Sequence, residues 1–411
     1  MGFKLRPGTS VFGNVTFTPG TNENYVAPPA PPLEPANWVI ISANKDDDKG
    51  LSSGSVYIYD AADLTAQPYK IVPTDGQSYD YFSSAIAVHG DTMFAGIRTD
   101  DDVAPDSGSV YVYDLNNLHS QPLYKITAFD GAQNDRFGTS VAVTADKIFV
   151  GADQDDDNVT NSGSVYVYDR NDLNAQPTKL TAFDGASSDN FGWSVAADSN
   201  NVVVGAWGED KDGNNYSGAA YVYDLNDLTA QPTKLTPTTS PAADDRFGIH
   251  VGIHNGKILV GAYQDDNHKG SLYIYDSNDL TAQPTELVPF DGVASDKFAK
   301  SFSVHADKLY VGSSSHNGVG AVYVYDLNDL TAQPTKLVPS DLDGVTYGIF
   351  GNVVSATGDR LVVGNHVDDT MAENSGAVYV YDLNDLTAQP TKLTAFDGAK
   401  NDHFGIAVAV G

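Results

Sequence analysis

Glu209-Asp210-Lys211-Asp212-Gly213-Asn214 is the segment of this chain whose spacing best suits a metal ion. Alternating carboxylate and amide oxygens bracket a glycine turn, and a hard cation such as Ca2+ takes six to eight oxygens of this kind. Asp184 and Asp189 lie in the same sequence unit, so the candidate calcium set is Asp184, Asp189, Glu209, Asp210, Asp212 and Asn214. The segment lacks the downstream bidentate Glu of an EF-hand. Asp and Gly are also favoured in solvated turns without any ion. Trp193 and Trp207 flank this stretch. An indole there could stack on a sugar or anchor a protein partner, with packing between units as the competing use. His316 falls in Ser313-Ser314-Ser315-His316-Asn317, where other units carry acids. That places a gap in the negative charge and a docking point at His316.

Catalysis is not expected. The chain has no H-E-x-x-H, Gly-x-Ser-x-Gly or P-loop string, so the usual metalloprotease, hydrolase and nucleotide signatures are missing. Nine histidines are scattered, with His89, His254 and His305 at the turns between strands. Paired carboxylates recur in every unit, which suits a scaffold better than one tuned acid–base pair. There is no cysteine, which removes disulfides, thiolate catalysis and Cys-ligated zinc. The net charge of −31 repels polyanions, so nucleic acid is excluded as a partner. No apolar run reaches the length of a membrane span, and MGFKLRPGTSVFG is not followed by the apolar region of a secretory signal.

The elements that must position these residues follow from a repeat. Gly-Ser-Val-Tyr-Val-Tyr-Asp or a close variant begins at Gly54, Gly108, Gly163, Gly218, Gly270, Gly320 and Gly376. Units of this length that cannot bury their own apolar face must pack on one another. In the unit around 184–236, four short β segments are expected: A at Phe191–Ala196, B at Asn201–Gly205, C at Ala219–Tyr223 and D at Thr233–Thr236. Leu225 and Leu228 are expected to fold back on the sheet. The predicted fold is all-β: a seven-bladed β-propeller of four-stranded antiparallel blades. The first unit starts at a B-like strand, Trp38–Ser42, and the last ends after an A-like strand, Phe404–Val410. The C-terminal strand should therefore pair with the N-terminal blade and close the ring, removing the open edges of a linear stack. The domain division is 1–36 as an extended N-terminal arm and Pro-rich linker, and 37–411 as the propeller.

The units resemble FG-GAP repeats, the propeller repeats of integrin α-subunit heads and many bacterial surface proteins. The likeness is carried by Phe137-Gly138, Phe191-Gly192, Phe247-Gly248, Phe350-Gly351 and Phe404-Gly405, by Gly151-Ala152, Gly205-Ala206 and Gly261-Ala262, and by the Gly-x-Val-Tyr-Val-Tyr strings. Phe82-Ser83, Phe298-Ala299, Gly312-Ser313 and Gly364-Asn365 depart from it. The resemblance implies an adhesion or recognition module. The integrin calcium loop between A and B does not carry over, because here that connection is as short as Thr144-Ala145-Asp146-Lys147.

In such a blade the B–C and D–A connections share one face. Their 33 acids and 9 bases leave that face at −24, against −7 for the rest of the chain. Phe3, Leu5, Val11, Phe12, Val15 and Phe17 are the candidate anchoring residues of the arm, and Pro28, Pro29, Pro31, Pro32 and Pro35 stiffen the spacer behind them. Residues 1–35 are expected to engage other protein subunits by strand addition. Together these features suggest a non-enzymatic binding or structural module, first a phage virion component such as a capsid decoration or tail appendage. The alternatives are a bacterial surface or secreted adhesin for a cell-surface glycan or protein, calcium-dependent or not, and a polysaccharide-acting propeller enzyme. The expected location is the virion or the extracellular surface.

Overall fold

The computed structural model describes residues 38–119, 121–157, 159–210, 215–237, 242–339 and 348–411. The anchoring candidates Phe3 to Phe17 lie outside them. The described strands make seven four-stranded antiparallel sheets, each in the order A-B-C-D. Blade 1 takes its B, C and D strands from Trp38–Ala43, Ser55–Asp60 and Tyr69–Ile71, and its A strand from Phe404–Val410. The other six blades are contiguous in sequence, and blade 3 is representative: Phe137–Val143, Lys147–Ala152, Ser164–Asp169 and Thr178–Leu180. The closing pair is in register over Val39↔Val410, Ile40↔Ala409 and Ile41↔Val408. Trp38 and Gly411 exchange both backbone hydrogen bonds at 3.1 Å.

Strands B and C are apolar along their length because each blade is covered on both faces by its neighbours. Between blades 2 and 3, Val110 and Val112 pack against Ile148, Val150 and Tyr166. Phe137 sets its ring edge-on to Tyr166 at 5.2 Å, a favoured aromatic geometry. Leu225 and Leu228 do fold back on the core of blade 4. Strand A of that blade is shorter than its sequence suggests. It runs from Ser194 to Ala197; Gly192 adopts φ +92° and Phe191 bridges Gly163 in parallel.

The glycines of the repeat mark where consecutive blades touch backbone to backbone. A Cβ on Gly151 would lie 1.9 Å from the Gly192 carbonyl oxygen of the next blade. Gly108, at φ +83°, would place a Cβ 2.0 Å from the Phe137 oxygen. No side chain fits at such separations, and the positive φ independently favours glycine. Blades 1 and 2 solve the same contact differently. Ser42 and Ser83 stand where glycines stand elsewhere, and their hydroxyls hydrogen-bond at 2.6 Å.

Ending the chain at residue 403 removes strand A of blade 1 and exposes the edge of Trp38–Ala43. The truncated protein is expected to lose its cooperative melting transition in circular dichroism. A melting temperature within a few degrees of the full-length chain would contradict closure through this strand.

Candidate functional site

The acids of the B–C and D–A connections are not free. Blades 1, 2, 3 and 7 carry an aspartate shortly after strand B, a tyrosine in strand C and a lysine opposite it in strand D, and in blade 4 Glu209 takes the aspartate's place. The preceding D–A connection adds a second aspartate. In blade 1, Lys70 Nζ lies 2.7 Å from each of Asp46, Asp48 and Asp397. The Tyr57 hydroxyl sits 2.9 Å from Asp46 Oδ2 and 2.6 Å from Asp397 Oδ1. Blade 3 repeats this with Lys179 held by Asp130 at 2.8 Å, by Asp155 at 2.7 Å and by Asp157, and with Tyr166 on Asp130 and Asp155. Because Asp130 and Asp397 come from the loop entering the blade, each cluster ties a blade to the connection from its predecessor. The carboxylates around them lift the affinity of Lys70, Lys125 and Lys179 for their protons, despite burial. Burial and the adjacent carboxylates likewise hold Tyr57 and Tyr166 protonated.

Among the described residues, Asp46, Asp48 and Asp397 are the one group of three whose oxygens approach within 4.8 Å of one another, and Lys70 sits in it. The calcium candidates are divided. Asp184 and Glu209 both bind Lys234 Nζ, at 2.7 and 2.6 Å. Asp189 accepts the Ala186 amide at 2.6 Å, and Asp210 accepts the Tyr216 amide at 2.8 Å. Asp212 and Asn214 lie outside the described residues. Local spacing could not reveal the lysine, which arrives from strand D 25 residues later.

His316 corrects the expectation of a docking point. The side chain is only 2 % exposed and occupies the position of the B–C aspartate. Lys336 and Asn317 donate to Nε2, so the Nδ1–H donates to Asp296 at 2.8 Å. It belongs to the same network, with Nε2 accepting from the strand D lysine. Blade 5 varies the scheme further, with Glu286 opposite Tyr273; Glu286 accepts from Ser271, and Tyr273 donates to Asp265 at 2.8 Å.

Trp193 and Trp207 are brought together, edge to face at 5.8 Å. Arg246, on the connection into blade 5, lies over the Trp207 ring at 4.9 Å and donates to the Tyr263 hydroxyl at 2.9 Å. The pair therefore packs between blades, and it also lines a cavity. That cavity, of about 460 Å³, is walled by the first residues of the A strands and by Arg98, Trp207 and Tyr263, which follow B strands. It thus occupies the axial end of the ring on the side of the B–C and D–A connections. Arg98, Arg246, Lys300 and Asn352 were not singled out by sequence reasoning; their convergence depends on seven A strands facing one axis.

The same face carries most of the exposed large apolar side chains. Thirteen of the fifteen among the described residues belong to B–C or D–A connections. Phe129, Phe183, Phe290 and Phe396 are equivalent positions, each about half exposed and edge-on to the strand C tyrosine.

This is a closed seven-bladed propeller whose loops on one side combine ordered charge with exposed aromatic rings. The FG-GAP repeat profile matches residues 66–113, 123–168, 175–223, 230–275 and 331–381, and the chain belongs to the FG-GAP repeat family. No curated protein matches the sequence. A propeller of this family is a binding or structural module. Among the described residues, no helix is long and apolar enough to cross a membrane.

Replacing Lys179 by Met leaves Asp130, Asp155 and Asp157 facing one another without their cation. Removing one partner of a buried charge pair costs roughly 3 kcal/mol, and chemical denaturation of K179M should show a loss of that order. A loss below ~1 kcal/mol would mean the cluster is as weak as a surface ion pair.

A second set of acids behaves in the opposite sense. Burial, then the charges of Asp46 and Asp47, raise Asp402 to about 6 against the Ala399 amide that favours its anion. Asp80, Asp135, Asp189 and Asp245 are raised to about 6 in the same way. A carboxyl with a folded pKa above its unfolded value subtracts stability above that folded pKa, and the cost fades as pH falls through 6. Asp402→Asn keeps an oxygen for Ala399. It should stabilise the protein by on the order of 1 kcal/mol at pH 8, with the gain shrinking below pH 6 and gone only by about pH 3, below both the folded and the unfolded pKa. An equal effect at both pH values would refute this assignment.

Proposed function

We propose that this protein is a non-enzymatic docking module that presents its B–C and D–A face to a partner, in the setting of a phage virion as a capsid decoration or tail appendage. The observation that carries the docking reading is the collection of exposed aromatic and aliphatic side chains on one face. Exposed apolar side chains gathered on one face suit an interaction surface. The repeated Phe-Asp pairs at 129–130, 183–184, 290–291 and 396–397 supply apolar anchors beside charge that selects the partner. The virion setting is supported by the proline spacer at 28–35 behind a β-like segment at 11–17, which suits capture of residues 1–35 by other protein subunits. Absence of a nucleophile–base motif supports the non-enzymatic reading.

The second reading is an adhesin for a surface glycan or protein, dependent on calcium. Its support is the Asp46–Asp48–Asp397 group, where a calcium ion would have to displace the Lys70 ammonium.

Antibody against the propeller should label purified virions rather than the host cell surface. A variant with Phe129, Phe183, Phe290 and Phe396 all changed to Ser should fold and melt near wild type, yet lose attachment to the labelled structure. Unchanged attachment would remove the docking face. Labelling of cells, abolished by chelator, would replace the virion reading with the adhesin. Turnover of a polysaccharide by the purified chain would overturn the non-enzymatic assignment.

A further inference from the structure

The axis of this strongly anionic protein is cationic. Arg98, Arg246 and Lys300 all line the axial cavity. Among the described residues, none of them, nor Arg136 beside Arg98, forms an ion pair with an acid. The Nε atoms of Arg98, Arg136 and Arg246 and the Nε1 of Trp207 are buried without a hydrogen-bond partner. Orphaned donors of this kind call for an explanation, since most buried polar atoms are paired. The acid that faces Arg98 and Arg136 is Asp153, fully buried with one oxygen held by Thr139 at 2.6 Å. Lys300 donates only to a neutral group, the Asn352 amide oxygen, at 2.7 Å. Burial and the nearby Lys297 depress its pKa to about 8. Burial and Arg136 likewise lower Arg98. Positive charge is therefore held here at a cost that an entering anion would relieve.

The remaining wall is suited to a ring. Trp193 lines the cavity, while Trp207 already carries Arg246 over its face. Ser84, Thr139 and Ser301 add hydroxyls. The volume falls within the range of small-molecule sites.

We propose that the axial cavity binds a small ring-bearing carboxylate, with acidic monosaccharides as the ligand class. Arg98, Arg246 and Lys300 take the carboxylate, Trp193 meets the apolar face of the ring, and Asn352 with the hydroxyl side chains reads the sugar hydroxyls. This site lies at the axis of the same face, uses none of the exposed rim side chains of the docking reading, and does not depend on what the rim holds.

The test titrates the full chain with D-glucuronate, D-galacturonate and N-acetylneuraminate, with D-glucose and inorganic sulfate as controls. The readouts are calorimetry and tryptophan fluorescence. Trp38 is 3 % exposed within blade 1, so a fluorescence change reports Trp193 and Trp207. At least one acidic sugar should bind saturably, with glucose and sulfate at least tenfold weaker. Lys300→Met and Arg98→Gln should each weaken that binding at least tenfold while melting near wild type; two independent positions guard against misfolding of either. Binding should also weaken between 50 and 500 mM NaCl. No saturable binding by any of the three acids would overturn the proposal. So would glucose or sulfate binding as tightly as the acids, or both folded variants binding like wild type.

Discussion

Everything in this propeller depends on how closely the backbones of successive blades approach. With Gly151 against the Gly192 carbonyl and Gly108 against the Phe137 carbonyl, the blades touch where no Cβ fits. The wedge angle between blades is then set by backbone contact rather than by adjustable side chains. Seven such wedges bring the A strand of the last-written segment beside the first B strand. The Ser42–Ser83 hydrogen bond and the Gly261–Ala299 contact show that the approach can be rebuilt with small side chains, at one partner or at both.

Around this backbone frame lies an electrostatic layer that reconciles a net charge of −31 with a stable fold. An anionic face would repel itself, since like charges oppose compaction. The strand D lysines relieve this by gathering carboxylates from two different connections around one ammonium, with the strand C tyrosine bridging two of them. The clusters therefore do two things at once: they neutralise local charge and fasten each entering loop to the next blade. Where an acid is missing, as at His316, an imidazole nitrogen accepts from the lysine instead. The acids raised to about 6 lie outside these lysine clusters and bear the cost of burial without a direct cation.

Charge is thus segregated by radius on one face. Acids, their lysines and exposed phenylalanines occupy the loops, while unpaired guanidinium and ammonium groups converge at the axis. An axial cation field inside an acidic rim admits small anions and disfavours large ones, because a large anion must also meet the rim. Under the proposed readings the aromatic rings at the rim would meet a broad partner and those at the axis a small one.

The repeat and its alternating apolar residues were enough to determine blade number, strand order and ring closure, because local β patterning and a fixed period leave few ways to bury the strands. The side of the ring that carries the acids followed from strand order alone. What the acids do was not legible, since Lys234 reaches Glu209 and Asp184 from different connections and spacing within a loop cannot report a partner from another strand. His316 was read as a docking point for the same reason, since its lysine partner, Lys336, comes from strand D. The cationic cavity is the purest tertiary product: Arg98, Arg246 and Lys300 belong to different blades, carry no shared motif, and meet only because a closed ring turns every A strand toward one axis.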